Sequence, residues 1–205
     1  RKDDRYETPD CATRALLRCE GALRTRIWEP ACGRGAISRI LIEAGHDVVS
    51  TDLVDYGYGQ AGRDFLMERD NHGCDQIVTN PPFKLMDEFV RHGLTLCRSV
   101  IVLARWAYAE GASRSDLIDG HLVRVWLGRE RLPFMHRDGY DGPRNSNSGA
   151  PFAWFVFERR PPHPGAFMVR RISWREGEAE RARVAPAPSD PPTIPMFPEL
   201  EGPQP

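Results

Sequence analysis

The 205-residue chain is almost without lysine: Lys2 and Lys84 stand against 26 arginines. Its five cysteines, Cys11, Cys19, Cys32, Cys74 and Cys97, include no CxxC pair. That spacing argues against a zinc site and against a secreted disulfide framework, so the thiols read as small buried residues of a reducing compartment. No apolar run approaches the roughly 20 residues of a membrane-spanning helix, and the start Arg-Lys-Asp-Asp is no signal peptide, so a cytoplasmic location is the default expectation. A GxGxxG fingerprint is missing as well, which counts against a nicotinamide cofactor.

What is present is ordinary for a globular protein: 40% hydrophobic residues, 28% charged residues and a net charge of -1. The length suits one substantial domain with a tail. The charges are unevenly spread. Residues 43–88 hold ten acidic against three basic groups, and residues 121–175 hold ten arginines against four acidic groups. A phosphate-binding surface would produce that bias, and so would GC-rich coding that replaces lysine by arginine, so charge alone decides nothing.

Apolar runs alternate with helical patterns. Strands are predicted at 26–31, 47–52, 75–80, 99–104, 122–127, 152–157 and 166–174, and helices at 12–19, 36–44 and 83–97, with Gly45 as a C-cap. The alternation implies parallel βαβ units, a mostly parallel seven-stranded α/β sheet with helices on both faces. Ligands of such sheets sit at the carboxyl ends of the strands, where the motifs below fall. A polar stretch at 129–150 is too long for a plain connector in a compact domain. Beyond residue 174 the chain is charged and then proline-dense, which predicts a disordered tail at 175–205.

Glu29-Pro30-Ala31-Cys32-Gly33-Arg34-Gly35 follows a strand and opens a helix. The glycines allow a tight turn and close backbone approach, and the free N–H groups of a helix N-terminus favour a carboxylate or phosphate. Asp52, at the end of the next strand with Leu53 after it, can accept both hydroxyl hydrogens of a ribose. Asp64 can accept from an adenine amino group while Phe65 or Leu66 packs on the ring. Thr79-Asn80-Pro81-Pro82-Phe83 carries the strongest chemical signal. An exocyclic amino nitrogen must become tetrahedral before it attacks an electrophilic methyl. Two acceptors aimed at its hydrogens, the Asn80 side-chain oxygen and the Pro81 carbonyl, would favour that change. The prolines stiffen the turn, and Phe83 offers a face on which a flipped base can stack.

These motifs resemble those of the class I S-adenosylmethionine-dependent methyltransferases, within them the amino-methylating group with a (D/N/S)PP(Y/F/W) signature, and most closely the small prophage-type DNA adenine-N6 methyltransferases. The resemblance covers about residues 5–174, within a methyltransferase domain expected at 1–174. It implies a Rossmann-like fold, S-adenosyl-L-methionine as cofactor and adenine N6 in DNA as target. It implies that Thr8 contacts the methionine end of the cofactor, that the turn from Glu29 to Gly35 wraps it, that Asp52 holds the ribose and that Asp64 and Phe65 hold the adenine. The family's later aromatic motif corresponds to Phe152-Ala-Trp154-Phe155, with Trp154 a second stacking face. Family members carry a sizeable target-recognition domain, and only 129–150 is available here. Arg129, Arg131, Arg137 and Arg144 would meet phosphates and Asn145 and Asn147 bases, with Arg105 as a further substrate contact. The chain has no Pro-Cys nucleophile motif, which argues against methylation of the cytosine ring. Other readings are an RNA guanine-N2 enzyme, a protein glutamine-amide enzyme, or a non-catalytic cofactor-fold protein that binds a partner. The tail segment at 193–198, with Ile194, Met196 and Phe197, loosely resembles peptides that dock on bacterial sliding clamps.

Overall fold

The computed structural model describes residues 7–21, 23–133 and 149–175. Seven strands form one sheet: β1 (Arg26–Glu29), β2 (Asp47–Ser50), β3 (Gln76–Thr79), β4 (Ser99–Arg105), β5 (Leu122–Gly128), β6 (Phe152–Glu158) and β7 (Met168–Ile172). Their order is β2-β1-β3-β4-β6-β5-β7. β6 runs antiparallel to both its neighbours, β4 and β5, and every other pairing is parallel. The sheet is therefore the mostly parallel one that the apolar runs imply.

Four helices cover the two faces. α1 (Asp10–Cys19) and α2 (Ala36–Glu43) bury Ala12, Ala15, Leu16, Ile37 and Leu41 against Ile27, Val78, Ile101, Leu103, Trp154 and Val156. α3 (Met86–Leu96) and α4 (Ser115–His121) bury Phe89, Val90, Leu94, Leu117 and Ile118 against Trp28, Ile77, Val100, Val102, Phe155 and Phe157. Successive strand residues thus alternate between the two cores, as strand geometry requires. The central strands read as near-continuous apolar runs because both faces are covered. At the end of α2, Gly45 N–H donates to Ile42 O at 2.9 Å and His46 N–H to Leu41 O at 3.0 Å, the hydrogen-bonded stop expected of Gly45. Glu20, just past α1, is buried and accepts from Arg124 Nε at 2.9 Å and Trp126 Nε1 at 3.0 Å, tying α1 to β5.

Two expectations shift. The helix expected from residue 83 begins at Met86, because Phe83–Leu85 form a 3-10 turn, with Leu85 N–H donating to Pro82 O at 2.9 Å. α4, absent from the sequence reading, is one short helix with only two buried apolar residues, too few to show a period. Residues 134–148, most of the expected target-recognition loop, and the tail from residue 176 lie outside the described residues. Among the described residues no helix is long and apolar enough to cross a membrane.

The chain runs from β1 outward to β2, then back across β1 to β3. The strand order reverses there, so the loops after β1 and β3 diverge and leave a crevice at the carboxyl edge.

Candidate active site

A cleft of about 260 Å³ opens at that reversal. Its walls come from three strand ends and the turn after them: Pro30, Ala31 and Gly33 after β1; Asp52, Leu53, Val54 and Tyr56 after β2; Arg63 to Leu66; and Asn80 to Phe83 after β3, with Leu85 and Phe89 beyond. The two motifs, 51 positions apart between Glu29 and Asn80, thus face one space.

The glycine turn is held from several sides. Gly33 has φ +53° and Gly35 φ +82°, left-handed values that side chains rarely adopt. A Cβ on Gly35 would lie 2.4 Å from the Tyr58 ring, so only glycine lets Tyr58 close over the turn. The Arg39 guanidinium covers that ring at 4.6 Å from its centroid. Asp52 ties the loops together: one carboxylate oxygen accepts from Gly33 N–H at 2.8 Å and the other from Val54 N–H at 3.0 Å. A carboxylate has about four acceptor positions, so Asp52, which lines the cleft, keeps capacity for two more donors.

Glu29 and Gly35 stand behind the cleft and do not line it. Glu29 is buried at 2% exposure and accepts from Ser38 N–H at 2.8 Å and from the Ser38 hydroxyl, which also meets Ser50 Oγ at 2.6 Å. It clamps the first turn of α2 to β1 and β2. Burial pushes its carboxyl up to about 8, opposed by the Ser38 bonds and reinforced by nearby Asp52. Cys32, inside the turn, is driven up to about 12 by burial and by the neighbouring Glu29 and Asp52 carboxylates, which keeps it a neutral thiol with little nucleophilic character.

Asp64 lines the cleft, with one oxygen accepting from Leu66 N–H at 3.0 Å. Phe65 also lines the cleft. Its ring is 2% exposed and sits 4.7 Å from Phe89 and 5.1 Å from Trp28, so it is first a core residue. Arg63 also lines the cleft, with its guanidinium paired to Glu68 at 2.7 Å. The sequence reading missed Arg63, along with Val54, Tyr56 and Phe89. Phe89 lies six residues past Phe83, on the inner face of the helix that Asn80-Pro-Pro-Phe precedes, which is the one signal that could have found it.

In the second motif Asn80 Nδ2 donates to Thr8 Oγ1 at 3.1 Å. Thr8 is buried and does not itself line the cleft, so its hydroxyl serves Asn80. With Nδ2 engaged, Asn80 Oδ1 is left as a buried acceptor without a hydrogen-bond partner, in a residue that lines the cleft. Such orphans are costly in a folded protein and call for an explanation. Phe83 packs against both cores from the top of the sheet, 6.2 Å from the Phe152 ring.

The other substrate candidates fall apart spatially. Trp154 is corrected: it is fully buried and its Nε1 donates to Ala12 O at 2.9 Å. Its register on β6 points it into the α1 and α2 core, so it offers no face to a base. Arg105, exposed at the carboxyl end of β4, lies over Phe83 at 5.1 Å from the ring centroid. Arg129 and Arg131 are exposed past the end of β5, three strands from β3 and about 14 Å along the sheet at ~4.8 Å per strand. Arg137, Arg144, Asn145 and Asn147 lie outside the described residues.

No family model and no curated relative matches the chain. Solved structures do. A protein of Pyrococcus horikoshii provisionally assigned as an RNA methyltransferase superposes with a TM-score of 0.56 at 14% identity, over 77% of this chain and 87% of that one. The methyltransferase subunit of a type I restriction-modification system from Streptococcus thermophilus gives 0.52 at 13% identity, over 79% of this chain and 46% of that one. The 23S rRNA methyltransferase ErmE gives 0.51 at 15% identity, over 78% and 71%. This chain thus spans under half the length of the restriction subunit. Together with the seven-stranded sheet, these likenesses show that the chain has the Rossmann-like fold of class I methyltransferases.

Proposed function

We propose that this protein is an S-adenosylmethionine-dependent methyltransferase that modifies an exocyclic amino group of a nucleic-acid base, with adenine N6 in DNA first among the targets. The observation that carries the reading is the unpartnered, buried Asn80 Oδ1 on a cleft that Gly33 and Asp52 also shape. An acceptor held there without a donor suits a ligand that brings an N–H. The cofactor fits the remaining residues. Asp52 would take the ribose hydroxyls, Asp64 the adenine amino group, and Pro30, Ala31 and Leu53 the flat faces between them. When bound, it supplies an electrophilic methyl group on a sulfonium.

The chain's own residues then do the following. Phe83 stacks the base and sets its plane. Asn80 Oδ1 and the Pro81 carbonyl accept the two amino hydrogens, which pulls the nitrogen toward tetrahedral geometry and frees its lone pair for attack. Thr8 holds the Asn80 amide with its oxygen toward the base. The apolar side chains among Leu53 to Phe65 would be covered by the bound cofactor and base, which would shed water there and strengthen each of these bonds. Arg129 and Arg131, with the residues that follow them, would meet the nucleic-acid backbone at a distance from the base.

RNA is the second reading, because two of the structural likenesses are to proteins described as RNA methyltransferases. Transfer of tritiated methyl from S-adenosylmethionine to DNA, RNA and protein, with digestion of the product to nucleosides, separates the targets. Label in N6-methyl-2′-deoxyadenosine from DNA is the expected result. Asn80→Ala should cut the rate by about 10²–10³ with cofactor affinity kept, and Asp52→Ala should weaken the cofactor instead. Label in protein alone, or equal loss of cofactor affinity in both variants, would overturn the assignment.

A further inference from the structure

We propose that Arg105 is the second jaw of a base clamp whose first jaw is Phe83, a role that rests on the nucleic-acid reading above. The guanidinium lies over the Phe83 ring at 5.1 Å. It is exposed at the last residue of β4 and makes no ion pair or hydrogen bond among the described residues, so nothing but the ring holds it. A planar cation parked on an aromatic face occupies the position a base would take. Inserting a base between two flat groups requires two stacking gaps of about 3.4 Å each, near 6.8 Å in all. The present separation falls short of that by less than 2 Å. An exposed arginine can lift by that amount through its own rotamers, without moving β4.

The clamp also accounts for what the sheet does with its aromatics. Trp154 is buried on the opposite side and Phe155 is fully enclosed, so no aromatic residue of β6 can reach the second face of the base. Phe152 meets Phe83 at its side, at 6.2 Å and 44°. β4 lies between β3 and β6, which sets the end of β4, and with it Arg105, beside the turn that carries Phe83. Guanidinium planes stack on nucleobases as aromatic rings do, and each such stack contributes about 5- to 150-fold in affinity. A glutamine side-chain amide has too little π surface to fill the gap, so the clamp selects a heterocyclic base. In the free protein Phe83 and Arg105 shield each other from water, and the base displaces that contact.

The test uses the full chain with S-adenosylhomocysteine present and two fluorescein-labelled single strands, (dA)12 and a 12-mer of the same charge whose central positions are abasic. Anisotropy gives the affinity for each. The wild-type protein should prefer (dA)12 by about tenfold. Arg105→Ala should lose most of that preference, and Arg105→Phe, which restores a flat face without charge, should retain it. Arg105→Lys, which keeps the charge without the plane, should behave as Arg105→Ala while keeping the salt dependence of binding. If Arg105→Ala discriminates as well as wild type, or if lysine restores the preference and phenylalanine does not, Arg105 is no jaw. If the wild-type protein binds neither strand, the clamp and the nucleic-acid reading fall together; if it prefers (dA)12 whatever stands at 105, only the clamp falls.

Discussion

Thr8 separates two accounts of the site, because the resemblance assigns it to the cofactor and its hydrogen bond assigns it to Asn80. Thr8→Val removes one hydroxyl and preserves the shape of a side chain that is 6% exposed. In the wild type the 3.1 Å bond from Asn80 Nδ2 fixes the amide and leaves Oδ1 buried without a partner. In the variant that orientation would leave Nδ2 against a methyl group. A buried donor without a partner costs about 1–3 kcal/mol. The productive orientation is therefore raised by up to that amount. At about 1.36 kcal/mol per decade, kcat should fall by roughly 5- to 150-fold, less than for Asn80→Ala. Steady-state methyl transfer and calorimetric titration with S-adenosylmethionine measure the two quantities separately. The cofactor dissociation constant should stay within about twofold of wild type, and Thr8→Ser should recover most of the rate. A Thr8→Val protein with unchanged kcat, or one whose cofactor affinity drops in step with its rate, would refute the argument.

Two further outcomes follow from the turn and the clamp behind it. Glu29 keeps its proton in the fold up to about pH 8, whereas the unfolded chain releases it near 4.5. The folded state therefore binds more protons between those values, and the contribution to stability is fullest below 4.5 and lost as pH rises toward 8. Urea unfolding of wild type and Glu29→Gln should show the wild-type advantage shrinking across this window, by at most about 1.4 kcal/mol per pH unit, and parallel curves would remove the protonated carboxyl. Gly35→Ala meets both a left-handed φ of +82° and the Tyr58 ring at 2.4 Å. It should cost at least about 1–2 kcal/mol, read as a fall in melting temperature of about 2–4 °C per kcal/mol, with weaker cofactor binding as Tyr58 is displaced; an unshifted melting curve contradicts the packing.

The sheet was legible in the sequence because its strands are buried on both faces and so appear as unbroken apolar runs such as Ile101 to Ala104. The glycine turn and Asn80-Pro-Pro-Phe were legible for a different reason: their chemistry depends on backbone conformation and residue type within a few consecutive positions. From the order of motifs along parallel strands one could infer that they share an edge. Strand order was another matter. That β3 lies beside β1, and β6 between β4 and β5, depends on how loops of unequal length cross the sheet.

Side-chain direction was decided by tertiary structure alone. Trp154 and Phe155 are neighbours in a run that looks like a stacking motif, yet strand alternation and two covering helix layers send both into separate cores. Phe65 lines the cleft and is at the same time a core residue, because Trp28 and Phe89 close around it. Thr8 and Asn80, 72 positions apart, meet only because the start of α1 packs beside the end of β3. Arg105 and Phe83 meet because β3 and β4 are paired in register at the sheet edge. A local pattern states which groups are available for chemistry, whereas the direction in which each one points is a property of packing between segments that the chain keeps far apart.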